Sequence, residues 1–216
     1  LRRITIIAGH YGSGKSEIST HLALKHKVDY FVDLDIINPY FRTRALAKLF
    51  ESHGISLVES TIKGMKNSDM PYVSGEGVIP FINENLTAVY DLGGTENGGR
   101  VLMQFRERMR NLDDIDLLYV VNIYRPYSDN PIAIKRAIKL LEAETQLPVT
   151  GLINNTNLME YTTEEDVFKG QKILRQVGKD LNLPIVYTVV EEHHTFKGPF
   201  DGEQIILQRL VAKEWL

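Results

Sequence analysis

The chain has no cysteine. That excludes disulfides, thiolate nucleophiles and cysteine-ligated zinc, although it identifies no compartment. Neither charge is in clear excess: 25 Lys and Arg against 28 Asp and Glu leave a formal net charge of −3. Such a balance gives no electrostatic footprint for nucleic acid and no polybasic membrane anchor. No apolar run approaches the length needed to span a bilayer. Two arginines precede a short apolar stretch in "LRRITIIAGH", but the stretch is too short for a signal peptide and reads as a first strand. The sequence opens on Leu1 and not on methionine, which points to residues missing at the front. Internal repeats, low-complexity tracts and linkers are also absent. A length of 216 residues suits one α/β domain over 1–216 and is too short for two of ordinary size.

What is present is a globular composition, 43% apolar and 25% charged, with a recurring pattern. Apolar, β-branched runs at 4–9, 29–35, 55–60, 87–94, 116–122, 149–155 and 185–190 read as strands. Several are apolar on successive residues, as parallel strands buried on both faces should be. Helical stripes lie between them. Ala45, Leu46, Leu49 and Phe50 form one, stopped by Gly54. Val101, Leu102, Phe105 and Met109 form a second. Ile134, Ala137, Ile138 and Leu141 form a third, opened by "SDNP" with a cap and an early proline. Gly170, Ile173, Leu174, Val177 and Leu181 form a fourth, opened by the acidic "TTEED". Alternating β and α units predict three layers, a mostly parallel sheet with helices on both faces. Ligands of such sheets sit beyond the carboxyl ends of the strands. The stretch 61–80 lacks periodicity and reads as a functional loop or small insertion.

Gly9-His10-Tyr11-Gly12-Ser13-Gly14-Lys15-Ser16 matches G-x-x-x-x-G-K-S/T between an expected strand and an expected helix. Its glycines let backbone N–H groups turn inward around phosphate oxygens. Lys15 reaches the β- and γ-phosphates, and the Ser16 hydroxyl binds Mg²⁺. The following helix aims its positive end at the same anion. Gly9, Gly12, Ser13, Gly14, Lys15, Ser16 and the adjoining Glu17 are therefore the expected nucleotide contacts.

"VYDLGG" and "DLDIINPYFRTR" supply the rest of such a site. Asp91, near the end of a strand, is placed to bind the metal directly or through water, and the Gly94 N–H to approach the terminal phosphate. Asp35 is placed to orient an attacking water or to accept a proton from a substrate hydroxyl, so it is expected with Lys15 to be catalytic. The plainer reading of both stretches is a turn closing a strand.

A phosphate loop after strand one, D-x-D after strand two and D-x-G-G after a middle strand together resemble the MinD/ParA-like ATPases of the CobQ/CobB/MinD/ParA superfamily of P-loop proteins. The resemblance covers most of the chain. It implies a Mg²⁺-dependent ATPase in which Lys15 and Ser16 contact phosphate and Mg²⁺, Asp35 orients water and Asp91 stands on the metal side. In one respect the sequence departs from the family. The second lysine of the family's loop, directly after the first glycine, reaches across a dimer, and here that position is His10. This speaks against a nucleotide-sandwich dimer and leaves Arg42, Arg44 and Arg100 as candidate substitute cations.

Guanine-binding proteins of this architecture place N-K-x-D after the sixth strand, whereas this chain has Asn154-Asn155-Thr156-Asn157. An asparagine amide both donates to and accepts from adenine, which makes Asn155 a candidate base contact and favours ATP; a simple turn is the alternative. His193 and His194 read as surface loop, since adjacent imidazoles do not easily share one ion. Tyr124, Arg125, Pro126 and Tyr127 follow the fifth strand and line either a pocket or a packed loop. The expectation is a cytoplasmic Mg²⁺-dependent ATPase that switches conformation on an unknown protein partner. The alternative is a kinase or ATP-dependent ligase acting on a small-molecule acceptor, with 61–80 as its lid.

Overall fold

Strands whose sequences are apolar on successive residues occupy the middle of the sheet, and strands with polar positions occupy its edges. A computed structural model describes residues 1–35, 39–59, 74–94, 97–109 and 111–211, with only the backbone of 39–45 and 97–98. Its strands are β1 (Ile4–Gly9), β2 (Tyr30–Leu34), β3 (Ser56–Glu59), β4 (Ala88–Leu92), β5 (Ile115–Val121), β6 (Gly151–Asn154), β7 (Ile185–Glu191) and β8 (Glu203–Leu207). They form one sheet in the order β3-β2-β4-β1-β5-β6-β7-β8, and every neighbouring pair is parallel. All of β4 is buried, while β8 buries only Ile205 and Leu207. Burial on both faces is what keeps the central strands mostly apolar, with buried polar exceptions such as Asp91.

The helices are α1 (Lys15–His26), α2 (Pro39–Ser52), α3 (Ile79–Ile82), α4 (Asn97–Met103), α5 (Pro131–Thr145) and α6 (Glu164–Leu181). Side chains of β1 divide between two cores as strand alternation requires. Ile4, Ile6 and Ala8 join Val101 and Leu102 of α4, Ile134 and Ile138 of α5, and Leu174 and Val177 of α6. Ile7 joins Ile18 and Leu22 of α1 and Leu46 and Phe50 of α2. Each fully buried aliphatic side chain contributes about 1.5–3 kcal/mol. Right-handed crossovers explain the division. From β1 the chain steps toward one edge through α1 and α2. After β4 it steps toward the other edge through α4, α5 and α6. The reversal beside β1 opens a crevice at the carboxyl ends of β1 and β4.

Both expected helix starts are present. Asn130 Oδ1 accepts from Ala133 N at 2.9 Å, with Pro131 first in α5. Thr163 and Asp166 form a reciprocal capping box on α6.

Three expectations need correction. The helix expected over 101–109 ends at Met103, where Gln104 and Phe105 donate to carbonyls three residues back, and a 3₁₀ turn follows at Arg106–Arg108. Phe105 and Met109 are nevertheless buried. Of the stretch 61–80, residues 61–73 lie outside the described residues. The remainder is regular: a 3₁₀ turn at Gly75–Val78, opened by Ser74, runs into α3. Last, β8 is an additional strand, reached from β7 by a crossover at 192–202 that has no helix. That crossover is held on α6, where Glu164 accepts from Gly198 N at 2.8 Å and Phe200 meets Phe168 at 5.2 Å. No described helix is long and apolar enough to cross a membrane.

Candidate nucleotide site

Five strand ends converge on the phosphate loop, and its backbone takes the shape an anion cradle needs. Gly12 and Gly14 have φ of 74° and 89°, a left-handed conformation that costs glycine nothing and strains other residues. At Gly14 space is also missing, because a Cβ would stand 2.2 Å from Asn155 Nδ2. Ser13 N donates to His10 O at 3.1 Å and closes the loop. The Ser13 hydroxyl is buried without a partner. An orphaned hydroxyl inside a glycine-lined loop fits a polar ligand. Lys15 opens α1, is buried, and donates to His10 O at 3.2 Å. Its ammonium thus crosses the loop's mouth, with the N-terminus of α1 behind it.

The far wall comes from β4. Asp91 is 2% exposed and lies in register with Ile7 of β1 and Asp33 of β2. Ser19, one turn along α1 from Lys15, places its Oγ 2.8 Å from Lys15 O and 3.2 Å from Asp91 Oδ1, tying the helix to the strand. Beyond Asp91 the backbone passes so close to the loop that Gly94 has no room for a Cβ, which would meet Lys15 Nζ at 2.7 Å and Tyr11 Cα at 2.8 Å. Asp35 follows β2, its N–H donating to Asp33 Oδ1 at 2.8 Å. Its carboxylate stands 3.5 Å from where a Gly93 Cβ would lie. Lysine, two carboxylates and the Gly93–Gly94 backbone therefore share one crevice, the arrangement needed to hold a terminal phosphate and to orient a nucleophile toward it.

Comparison with protein-family models gives no match, and no curated protein matches the sequence. Solved structures do match. The cell division protein FtsY of Thermotoga maritima is 18% identical with a TM-score of 0.56, over 87% of this chain and 61% of that one. The signal recognition particle receptor FtsY of Elizabethkingia anophelis, in complex with GDP, is 17% identical with a TM-score of 0.52, over 87% of this chain and 56% of that one. The signal recognition particle 54 kDa protein of Aeropyrum pernix, also in complex with GDP, is 16% identical with a TM-score of 0.51, over 84% and 40%. The fold is that of the P-loop nucleotide hydrolases. The chain thus spans 40–61% of the length of these three proteins. At such identities the likeness carries the fold alone, and the resemblance to the MinD/ParA family is one of motifs.

Within the P-loop fold the remaining expected site residues separate. Asn155 is buried against the loop, donating through Nδ2 to Ser13 O at 2.7 Å. Its neighbours are also engaged: Asn154 Nδ2 donates to Val167 O at 3.0 Å, and Asn157 Nδ2 to Asn155 O at 2.8 Å. Glu17 turns away from the cradle and accepts from Leu210 N and Val211 N, each at 2.9 Å. The side chains of Arg42 and Arg44 lie outside the described residues, and Arg100 is exposed on α4. His194 stacks on Phe196 at 4.6 Å, and among the described residues no three or more acidic, histidine or cysteine side chains gather in one place to hold a metal ion.

Besides Lys15, Arg125 brings a cation to the loop. A turn after β5 places it: Arg125 N donates to Asn122 O at 3.0 Å, and Ser128 N to Arg125 O at 3.1 Å. Its Nε is buried without a partner, 3.5 Å from where a Gly12 Cβ would stand. From the same turn Tyr127 brings its ring 5.8 Å from that of His10. Sequence reading marked this turn as pocket or packing without joining it to the loop, since only tertiary structure brings the two together.

Proposed function

We propose that this protein binds a Mg²⁺-nucleoside triphosphate at the phosphate loop and hydrolyses it as a conformational switch. The observation carrying this reading is the crevice in which Lys15 Nζ, the Gly94 backbone and the loop close on one another. In this reading the loop amides and Lys15 bind the β- and γ-phosphates, and Arg125 adds charge beside Gly12. Ser16 and Asp91 would hold Mg²⁺, which screens phosphate charge when bound. Asp35 orients a water in line with the γ-phosphorus. The new P–O bond forms from that water as the bridging P–O bond breaks, the nucleoside diphosphate leaves, and the water's proton passes to Asp35 or to the released phosphate. The Gly93–Gly94 backbone, joined to the terminal phosphate, is the element that would move on hydrolysis.

ATP is the proposed nucleotide. In the turn after β6, Asn154-Asn155-Thr156-Asn157 carries no carboxylate for the guanine N–H groups, although the amide nitrogens of its three asparagines already donate within the chain. A guanine nucleotide is the second reading, because two of the matching proteins hold GDP. Calorimetric titration of Mg²⁺-ATP and Mg²⁺-GTP into wild type and Lys15→Ala tests both points. Loss of the ammonium should weaken binding by about tenfold or more. Equal affinity in wild type and variant would overturn the site, and tighter GTP binding would reassign the base.

A further inference from the structure

A cavity of about 950 Å³ shares Gly9, Gly93 and Gly94 with the nucleotide site and reaches from there to α5, whose side chains the hydrolysis chemistry does not use. His10, Tyr11 and the Gly93–Gly94 backbone form one side, and α5 forms the other. It therefore opens beside the place where Gly94 meets Lys15. The α5 wall carries Ile132, Arg136 and Leu140 at spacings of four, stacked along one helical face. Ile132 is 76% exposed and Leu140 56% exposed. Ala133 and Ala137 leave the hollow between them and the loop. Aliphatic side chains left open to water in a concavity of this size mark a ligand pocket, since burying them is favourable and the volume lies within the usual range.

The polar groups on its wall identify the class of occupant. Asn130 is committed to capping α5. Glu144 lies against α4, within 2.9 Å of a Gly99 Cβ position, and already has a partner. Arg136 is different: among the described residues no hydrogen bond or ion pair engages it. An apolar wall with a single uncommitted guanidinium suits a molecule with an apolar body and one carboxylate, phosphate or sulfonate.

We propose that this cavity is a second ligand site, binding a small amphipathic organic anion with its charge on Arg136 and its apolar body against Ile132, Ala133 and Leu140. The inference rests on the nucleotide reading only for its meaning, since the bound molecule would touch the Gly93–Gly94 backbone. Its test requires no nucleotide. Anilinonaphthalene sulfonate, an apolar ring system with one sulfonate, is titrated into the nucleotide-free protein and followed by fluorescence. Octanoate and octan-1-ol are then compared as competitors. Octanoate should displace the probe at about tenfold lower concentration than the alcohol. Arg136→Gln, an exposed change that does not threaten folding, should abolish that preference, and Ala133→Phe should remove probe binding by filling the hollow. Mg²⁺-ATP titration of both variants should match wild type. Equal displacement by acid and alcohol in wild type, or an acid preference that survives Arg136→Gln, would overturn the proposal. So would a folded Ala133→Phe protein that binds the probe as wild type does, which would place the probe on an open surface such as a partner-helix groove. Loss of nucleotide binding in wild type would instead strike the nucleotide reading and leave this one standing.

Discussion

At the scale of single residues, the site is defined as much by missing atoms as by functional groups. Gly94 is the sharpest case, because a methyl group there would meet the Lys15 ammonium at 2.7 Å and the Tyr11 backbone at 2.8 Å. The lysine end can move aside, but the loop backbone cannot move without opening the cradle. We expect Gly94→Ala to cost about 1–3 kcal/mol of stability, as overpacking does, and to weaken triphosphate binding more than diphosphate binding. Thermal melts and paired titrations of the two nucleotides check this. Arg125 is the complementary case. Its Nε has no hydrogen-bond partner among the described residues, so truncation removes no such bond from that atom. Arg125→Ala should therefore melt close to wild type yet lose about 10²-fold in turnover, if its charge meets phosphate in the transition state. Arg125→Lys should restore part of that loss. A turnover equal to wild type in the alanine variant would make Arg125 a packing residue.

At the scale of elements, α6 shows how local chemistry sets a boundary and then steadies the site. Thr163 Oγ1 accepts from Asp166 N at 3.3 Å, and Asp166 Oδ2 accepts from Thr163 N at 2.9 Å. The same carboxylate accepts from Tyr124 OH at 2.5 Å, clasping to α6 the turn that carries Arg125. Burial pushes the Asp166 carboxyl up, but hydrogen bonds from Tyr124 and Thr163 outweigh it and hold the group below its usual value. The Tyr124 hydroxyl is pushed up to about 12 by the same bond. A carboxyl lowered on folding stabilises above its unfolded value, and that stability is lost as pH falls through the folded value. Asp166→Asn should therefore be less stable than wild type at neutral pH, and the gap should close below about pH 4. Thermal melts across pH 3–7 measure it. Thr163→Ala should cost about 1 kcal/mol, or ~2–4 °C in Tm. Caps of this kind are legible in sequence because their residues are neighbours, and so is the phosphate loop. β8 is not, because an edge strand that buries two side chains has little apolar signature. Strand order, the clasp to Tyr124 and the seat of Asn155 under Ser13 depend on contacts between distant segments, which periodicity does not encode.

At the scale of the whole molecule, the question is whether one chain completes the site. In the family that the motifs resemble, the lysine after the first glycine crosses to a partner's phosphates. Here His10 has that place, and its surroundings belong to its own chain: Nδ1 lies 3.1 Å from Tyr11 O, and the ring leans on Tyr127. Arg125, also from the same chain, stands beside Gly12, where it would supply in cis a charge that the lysine brings in trans in that family. An imidazole has neither the reach nor the flexible stem of a lysine, and this one leans on Tyr127 of its own chain, so nucleotide gives a second subunit little reason to close over the loop. We therefore expect no nucleotide-driven sandwich dimer. Asp35→Asn, which should bind nucleotide and fail to turn it over, provides the trapped state for the measurement. Sedimentation velocity of this variant should give the same species with and without saturating Mg²⁺-ATP, and the same holds for Mg²⁺-GTP. A dimer that appears only with nucleotide and dissolves when Arg125→Ala is added would show instead that this arginine crosses between subunits. The site would then be completed in trans, with His10 no bar to closure.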